Sequence, residues 1–374
     1  MSIYLDNAAT TPLDPQVLEA MLPFFNAQFG NPSSTHSVGR EAKAAVEMAR
    51  KKLAQLLNCK TNELYFTSGG TESDNFALQG AVRDLEITRI ITSPIEHHAV
   101  LHTVEELEKK GVEIVYLKVN ENGIIDIEDL KNHLDSSDKK TLVSIMHANN
   151  EVGNIIPLEK IAALCEKNWA LFHSDTVQSI GHYQLDYSLS GLNFAAASAH
   201  KFHGPKGVGL LYMSERIAPF IFGGAQERSF RAGTENVAGI VGMAKALELA
   251  YQNLKQDQEY ISDLKQHLIS LLKKQIPKIS FNGCSDKSDA ALYNVINIRL
   301  PEHDKGSMLL FTLDLEKISV SGGSACGSGS LIGSHVLNAM NPEDTNTSLR
   351  VSLSKFNTKN EIETFVKVLV ESIN

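Results

Sequence analysis

Between about residues 15 and 250, short apolar runs typical of buried strands alternate with amphipathic stretches such as Ile127–Leu134. Strands separated by helices are usually joined by crossovers that keep the strands parallel. The alternation therefore predicts an α/β fold with a mostly parallel central sheet. The predicted strands are Glu63–Thr67, Arg89–Thr92, Glu113–Leu117, Thr141–Met146, Trp169–His173, Phe194–Ser198 and Val208–Tyr212.

The pattern changes after about residue 255. A long helical stretch, Tyr260–Lys274, is followed by a candidate strand, Asn294–Leu300, by a second one that ends at Val320, and by a last helix over Lys359–Ile373. No internal repeat and no proline-rich linker separates the two parts. We therefore predict two closely packed domains: a large domain of residues 15–254, and a smaller α+β domain built from residues 1–14 and 255–374.

Composition narrows the class of protein. The 374 residues are 43% hydrophobic and 21% charged, with a net charge of −9, which is typical of a soluble globular protein without general affinity for nucleic acid or anionic lipid. We expect no direct nucleic-acid partner and no membrane span. The start of the chain lacks the basic and apolar regions of a secretory signal, so we expect a cytoplasmic protein with free thiols.

A glycine-rich turn, Thr67–Ser73, lies between a predicted strand and a helical stretch. Backbone N–H groups and the helix dipole at such a turn favour phosphate binding. The alternative is an ordinary turn in which Thr71 or Ser73 caps the helix.

Lys201 follows a predicted strand of small residues and lies between two histidines, before a Gly-Pro turn. A desolvated lysine at the end of a strand can form a Schiff base, whereas a solvated loop lysine is the alternative. Asp175, with Gln178 three residues later, follows another strand. A carboxylate there can pair with a protonated pyridine nitrogen and the amide with a ring hydroxyl, although Asp175 can also be a helix cap.

Two adjacent histidines, His97 and His98, follow the strand Arg89–Thr92. Adjacent side chains point in different directions, and the chain has no CxxC pair, so we predict no metal site. One histidine ring can stack on a flat cofactor and transfer protons near neutral pH. A structural role is the alternative.

Taken together, these segments resemble the pyridoxal-phosphate enzymes of aminotransferase class V, and most closely the cysteine desulfurases of the NifS/IscS-like group. The resemblance extends from Tyr4–Pro12 to the region of Arg350, with the motifs in the order of the family. It implies an aminotransferase-like fold of type I, pyridoxal 5′-phosphate as the cofactor, and a homodimer with shared active sites.

The resemblance implies a role for each matching residue. The phosphate is implied to bind at Gly70, Thr71, Ser198 and His200, and Thr234 is implied to reach the phosphate of the neighbouring subunit. Around the ring and the substrate, the implied residues are His97 (stacking and acid/base), Asn150 (hydroxyl and substrate), Asp175 (ring nitrogen), Gln178 (hydroxyl), Lys201 (Schiff base) and Arg350 (substrate carboxylate).

Cys326 lies in Ser321–Ser330, which looks like the longer cysteine loop of the NifS/IscS-like group and not the short SufS-like loop. Its small neighbours leave the thiol exposed, whereas we interpret Cys59, Cys165 and Cys284 as structural. Gly322 and Gly327 depart from the Ser and the Thr or Ala usual in the family, which predicts a more flexible loop.

Two further departures concern the substrate arginine and the C-terminus. Lys355 stands where the family usually has an arginine after the substrate arginine. This departure leaves open which residues support Arg350. The sequence stops almost directly after the last helix, whereas housekeeping iron–sulfur members usually carry a longer tail that docks a scaffold protein, which leaves that contact open.

The implied reaction converts L-cysteine to L-alanine and leaves a persulfide on Cys326, for delivery to a protein acceptor in iron–sulfur cluster assembly, tRNA thiolation or cofactor biosynthesis. Lys201 would remove the α-proton, Cys326 would attack the substrate sulfur, and His97 would transfer protons nearby. The alternatives are a selenocysteine lyase, another class V aminotransferase, and a non-catalytic scaffold. A transaminase needs no thiol, and a scaffold needs neither Lys201 nor Cys326.

Overall fold

The structure is a computed structural model that describes residues 2–302, 306–322 and 333–373. Cys326 lies outside the described residues. The strands are β1 (Ile3–Tyr4), β2 (Leu64–Thr67), β3 (Arg89–Thr92), β4 (Glu113–Tyr116), β5 (Thr141–Ser144), β6 (Leu171–Asp175), β7 (Phe194–Ser198), β8 (Gly209–Met213), β9 (Ser280–Phe281), β10 (Val295–Arg299), β11 (Ile318–Ser319) and β12 (Ser348–Ser352).

A seven-stranded sheet in the order β2-β8-β7-β6-β5-β3-β4 forms the centre of the larger part. The strands from β7 to β4 pair in parallel, and β8 is antiparallel to both of its neighbours, β2 and β7. The predicted α/β fold with a mostly parallel sheet is therefore confirmed. Because the carboxyl ends of parallel strands lie along one edge, the loops that follow β3, β5, β6 and β7 converge there.

Helices cover both faces of the sheet, and the amphipathic pattern explains their positions. In α3, for example, the buried residues Ala42, Val46, Ala49 and Leu53 recur at intervals of three or four along one face. The helices are α1 (Pro15–Met21), α2 (Pro23–Asn26), α3 (Ser37–Leu56), α4 (Gly70–Asp84), α5 (His98–Glu108), α6 (Ile127–Asp135), α7 (Leu158–Lys167), α8 (Gln226–Ser229), α9 (Val237–Gln252), α10 (Leu254–Gln275), α11 (Leu309–Leu315), α12 (His335–Met340) and α13 (Lys359–Ile373). Short 3-10 helices span Thr61–Glu63, Ala199–Lys201 and Gly306–Met308.

The later part of the chain forms its own layer. Strands β12, β10 and β9 make an antiparallel sheet, while β1 pairs in parallel with β11. These elements share a hydrophobic cluster with α10 and α13 that includes Leu5, near the start of the chain. The division at residues 14/15 and 254/255 stays a prediction.

Several predicted strands differ from the structure by one or two residues at their ends, and two of them also differ in backbone conformation or burial. Trp169 lies in a turn with φ of 56° and is 94% exposed, and β6 begins only at Leu171. The segment Glu113–Leu117 was predicted to be buried, but Glu113 and Tyr116 are exposed. It contains β4, which lies at the edge of the sheet and has a neighbour on one side only.

Candidate active site

The loops at the carboxyl edge of the large sheet surround a cavity of about 390 Å³, a size typical of small-molecule sites. Elements from both parts of the chain contribute to it, from the segment before α1 to β12. Its lining residues are Ala8, Ala9, Gly70, Thr71, Asp74, His97, His98, Met146, Asn150, Glu151, Asp175, Val177, Gln178, Ser198, His200, Lys201, His335 and Arg350. Of the predicted site residues that the structure describes, all except Thr234 line this cavity.

Lys201 ends the 3-10 helix that directly follows β7. Its Nζ donates hydrogen bonds to the carbonyl oxygens of Ala8 (2.7 Å) and Ala9 (2.8 Å). The N-terminal segment thus holds the amine at the cavity wall, and the side chain is part-buried and not freely solvated. Sequence reasoning missed these acceptors because backbone carbonyls carry no residue-type signal.

Asp175 is the last residue of β6 and is buried. Its Oδ1 accepts a hydrogen bond from the Val177 N–H at 2.8 Å, and the residues that follow form a turn, not a helix. Burial raises the pKa of Asp175 to about 6, against the opposing effects of the Val177 N–H and the Lys201 ammonium. A cation placed against this carboxyl would stabilise the anion, so the residue fits a protonated pyridine nitrogen.

The glycine-rich turn enters α4 at Gly70, with Gly69 and not Thr71 or Ser73 at the N-cap position. A Cβ on Gly70 would lie 2.6 Å from Val177 Cγ2, so any larger residue would displace the Val177 side chain in the loop that follows Asp175. The first N–H groups of a helix have no partner within it. Since Thr71 and Ser198 line the same end of the cavity, the donors there fit a phosphate group.

His97 is the N-cap of α5, and its Nδ1 accepts a hydrogen bond from the Ala99 N–H at 3.1 Å. Burial, together with the nearby Lys201 ammonium, lowers the pKa of His97 to about 4. The ring is therefore neutral at physiological pH. Because Nδ1 is an acceptor, the single ring proton is on Nε2. His97 caps a helix, which is the structural role considered from the sequence, and it also lines the cavity, while its role toward a cofactor stays a prediction.

Arg350 lies on β12 and is 1% exposed. Its Nη1 donates to the Asn150 carbonyl (2.9 Å), and its Nη2 donates to Asp6 Oδ1 (2.8 Å) and to Ser321 Oγ (3.3 Å). Its Nε is buried and has no hydrogen-bond partner among the described residues. The guanidinium is thus held in a fixed orientation, and its Nε–H can still donate a hydrogen bond to a carboxylate.

Other predicted residues lie at or near the cavity. Gln178 Nε2 donates to the Ala8 carbonyl at 2.9 Å, and His200 Nδ1 lies 3.1 Å from Thr10 Oγ1. Lys355, the residue that departs from the family pattern, binds Asp14 Oδ2 at 2.7 Å. It is therefore engaged with the N-terminal segment and not with Arg350.

Thr234 is exposed and lies outside the cavity, in a groove beside β2. Its predicted contact with the phosphate of a neighbouring subunit stays a prediction. Of the other cysteines, Cys165 and Cys284 are buried, and burial raises the pKa of Cys59 to about 12. None of these three thiols has the setting of a reactive thiolate.

Sequence reasoning missed two buried carboxyl groups near Asp175. Asp74 lies one helical turn after Gly70 and also lines the cavity, and Glu96 directly precedes His97. Burial raises the pKa of Glu96 to about 8 and that of Asp74 well above its ordinary value. The spacing of Asp74 from Gly70 was the one available signal, because positions i and i+4 share a helix face.

Neither a metal site nor a membrane span is found in the part of the chain that the structure describes. Within residues 2–302, 306–322 and 333–373, no group of three or more His, Cys, Asp or Glu side chains is arranged to hold a metal ion. Over the same ranges, no helix has the length and apolar character needed to cross a membrane.

Comparisons with known proteins agree with this geometry. Residues 3–365 match the family Aminotransferase class-V. The chain is 45% identical over 377 aligned positions to Cysteine desulfurase IscS of Clostridium botulinum (strain Hall), an alignment that covers 99% of this chain and 94% of that protein. A solved NifS-like protein superimposes with a TM-score of 0.90 at 38% identity, covering 99% of both chains. A NifS-like protein from Rickettsia africae superimposes with a TM-score of 0.88 at 35% identity, covering 100% of this chain and 99% of that one. The chain therefore belongs to the class V aminotransferase family of pyridoxal-phosphate-dependent enzymes.

Proposed function

We propose that this protein is a cysteine desulfurase, which converts L-cysteine to L-alanine and receives the sulfur as a persulfide on Cys326. The observation that carries the proposal is the convergence of Lys201, Asp175, His97 and Arg350 on one cavity. This set suits amino-acid chemistry on pyridoxal phosphate. The thiol predicted at Cys326 adds the nucleophile that a transaminase does not need.

The cavity residues fit the cofactor at both of its ends. The α4 N-terminus at Gly70, with Thr71 and Ser198, would hold the phosphate, and Asp175 would hold the ring nitrogen. When bound, pyridoxal phosphate supplies an electron sink for the bond electrons released at the substrate α-carbon. The Asp175 carboxylate maintains the positive charge on which that sink depends.

Lys201 and His97 would transfer the protons of the reaction. The Lys201 amine, which donates to the Ala8 and Ala9 carbonyls, would in its neutral form remove the proton from the substrate α-carbon. His97 would present its Nε2 proton as a hydrogen-bond donor while its Nδ1 accepts from the Ala99 N–H. Proton transfer at Nε2 would require Nδ1 to release the Ala99 N–H and to carry a proton itself.

Cys326 would act as the nucleophile toward sulfur. Its thiolate attacks the sulfur of the bound L-cysteine, so that an S–S bond forms as the Cβ–S bond breaks. The Cβ–S electron pair passes to the carbon fragment, which takes up a proton and leaves as L-alanine. The former substrate sulfur stays on Cys326 as a persulfide.

The proposal is tested by mixing the purified, cofactor-loaded protein with L-cysteine and measuring alanine by chromatography. A thiol reductant cleaves the persulfide, releases sulfide and regenerates Cys326. In its presence we expect alanine and sulfide in a 1:1 ratio. Pyruvate or ammonia in place of alanine would contradict the assignment.

Arg350 is proposed to bind the substrate carboxylate, and Arg350→Lys tests this role. We expect KM for L-cysteine to rise by about 10- to 100-fold with a smaller change in kcat, because lysine keeps the charge but cannot form the two-pronged contact. Arg299→Lys is the matched control, since Arg299 lies on the adjacent strand β10 and pairs with Asp344 instead. An unchanged KM in Arg350→Lys would contradict the assignment.

We further propose that two chains form a homodimer through the surface near Thr234. Phe222 is 80% exposed, and its neighbour Ile221 bridges to Arg231, three residues before Thr234. A large exposed aromatic residue beside a residue implied to act across subunits is typical of an interface.

Phe222→Asp tests the proposed dimer by analytical ultracentrifugation. Wild type is expected to sediment as a dimer of 41.0 kDa chains, and Phe222→Asp as a monomer, because a charge would be buried without a partner. Trp169→Asp is the matched control on a distant exposed aromatic residue and should stay dimeric. A fully active monomeric wild type would contradict the proposal.

The persulfide sulfur is proposed to pass to a protein thiol in iron–sulfur cluster assembly, tRNA thiolation or cofactor biosynthesis. Incubation of persulfide-bearing protein with candidate acceptors, followed by intact-mass detection of added sulfur, would identify the acceptor.

A further inference from the structure

The strand β2 lies at an open edge of the large sheet and leads directly into the proposed phosphate-binding turn at residues 68–71. In a strand, the carbonyl of one residue and the N–H two residues later point to the same side. On the open side of β2, the Leu64 carbonyl accepts from Arg50 Nη1 (2.9 Å), and the Phe66 N–H donates to Glu227 Oε2 (2.8 Å). These two side chains thus occupy the place of a missing strand.

Arg50 and Glu227 also bind each other in a buried, two-pronged ion pair. Arg50 Nη1 donates to Glu227 Oε2 at 2.8 Å and Nη2 to Oε1 at 2.7 Å, with the side chains 2% and 3% exposed. Removing two charges from water is unfavourable unless further hydrogen bonds satisfy them. Here the edge of β2 supplies those hydrogen bonds, so the pair and the strand stabilise each other.

The backbone around Glu227 is strained. Glu227, Arg228 and Ser229 have φ of 45°, 59° and 65°, in the left-handed region, and none of the three is glycine. Consecutive left-handed residues of this kind persist only where the surrounding contacts hold them. The contacts of Glu227 with Arg50 and Phe66 are such a constraint.

The same segment contacts the other flank of the turn through Arg231. Its Nε donates to Glu72 Oε1 at 2.9 Å and its Nη2 to Oε2 at 3.3 Å. Glu72 lies in the first turn of α4 and also accepts the Ser68 N–H at 3.0 Å. Residues 226–231 therefore contact both the strand that leads into the turn and the helix that follows it.

We propose that residues 226–231 position the phosphate-binding turn, with Glu227, Arg50 and Arg231 as positioning residues for the cofactor phosphate. The inference rests on the proposed function, because it takes residues 68–71 as the phosphate site. None of the three side chains lines the cavity, so they act through the placement of the backbone N–H groups of the turn.

Glu227→Gln tests the inference in the cofactor-free protein, by titration with pyridoxal 5′-phosphate and, separately, with pyridoxal, which lacks the phosphate. Glutamine leaves Arg50 without its charge partner. Its amide NH2 group, which can only donate, would also face the N–H donors of Arg50 and Phe66. We expect the Kd for pyridoxal 5′-phosphate to rise about tenfold while the Kd for pyridoxal changes less than about twofold. Glu47→Gln is the matched control, because Glu47 contacts both Arg50 (3.3 Å) and Arg228 (3.6 Å) but from an exposed position, where ion pairs contribute little, and it should change neither value.

A second variant keeps the inference testable if Glu227→Gln does not fold. Glu72→Gln is on the exit side of the turn, with a side chain 16% exposed, and should weaken pyridoxal 5′-phosphate binding about threefold, again without affecting pyridoxal. Equal weakening of both ligands, or no change in either, would overturn the inference. If the wild-type protein binds neither ligand, the proposed function itself fails.

Discussion

Cys326→Ser is expected to retain the bound cofactor and to bind L-cysteine, but to form alanine at least about a thousandfold more slowly than wild type. The hydroxyl of serine is a far weaker nucleophile toward sulfur than a thiolate at neutral pH. Cofactor and substrate binding are proposed to depend on Lys201, Asp175 and Arg350, which this substitution leaves unchanged. The visible spectrum on addition of L-cysteine would show binding, and chromatography would measure alanine.

Cys59→Ser is the matched control for this experiment. Cys59 is partly buried, and burial raises the pKa of its thiol to about 12, so its loss should leave the rate of alanine formation unchanged. Undiminished alanine from Cys326→Ser would refute the assigned mechanism, whatever the control shows.

Lys201→Ala is expected to abolish both the covalently held cofactor and the formation of alanine. The amine is the group that we propose to bond to the cofactor and to remove the α-proton, and no other lysine lines the cavity in the described part of the chain. Wild type should be yellow, and the variant should lose its absorption band after dialysis against a competing amine.

Lys201→Arg separates the charge of the side chain from its chemistry. Arginine can still donate to the Ala8 and Ala9 carbonyls, but it stays protonated and cannot form the covalent bond. It should therefore fold like wild type and be as inactive as Lys201→Ala. Activity above about a hundredth of wild type in either variant would contradict the role of Lys201.

The fold was predictable because hydrophobic periodicity reports directly on burial. The last helix, Lys359–Ile373, and the strand Phe194–Ser198 have the predicted bounds. The errors arose where sheet position decides exposure. An edge strand such as Glu113–Tyr116 resembles a buried one in sequence, and an apolar residue such as Trp169 can lie in an exposed turn.

The candidate site was predictable to the extent that its residues follow strand ends. Asp175 ends β6, and Lys201 ends the short 3-10 helix that follows the parallel neighbour β7, so their convergence follows from topology. Contacts between segments far apart in sequence gave no such signal. Arg50 and Glu227 are 177 residues apart, and the Ala8 carbonyl binds Lys201 through the backbone, so neither contact depends on a local motif.

In the proposed reaction, the sulfur of L-cysteine is transferred to one particular thiol. To test this transfer, the cofactor-loaded protein is mixed with L-cysteine, persulfides are trapped by alkylation, and they are mapped by mass spectrometry on all four cysteines. We expect persulfide on Cys326 in amounts that match the alanine formed in the first turnover. Persulfide on Cys59, Cys165 or Cys284 instead, or alanine formed without any protein persulfide, would contradict it.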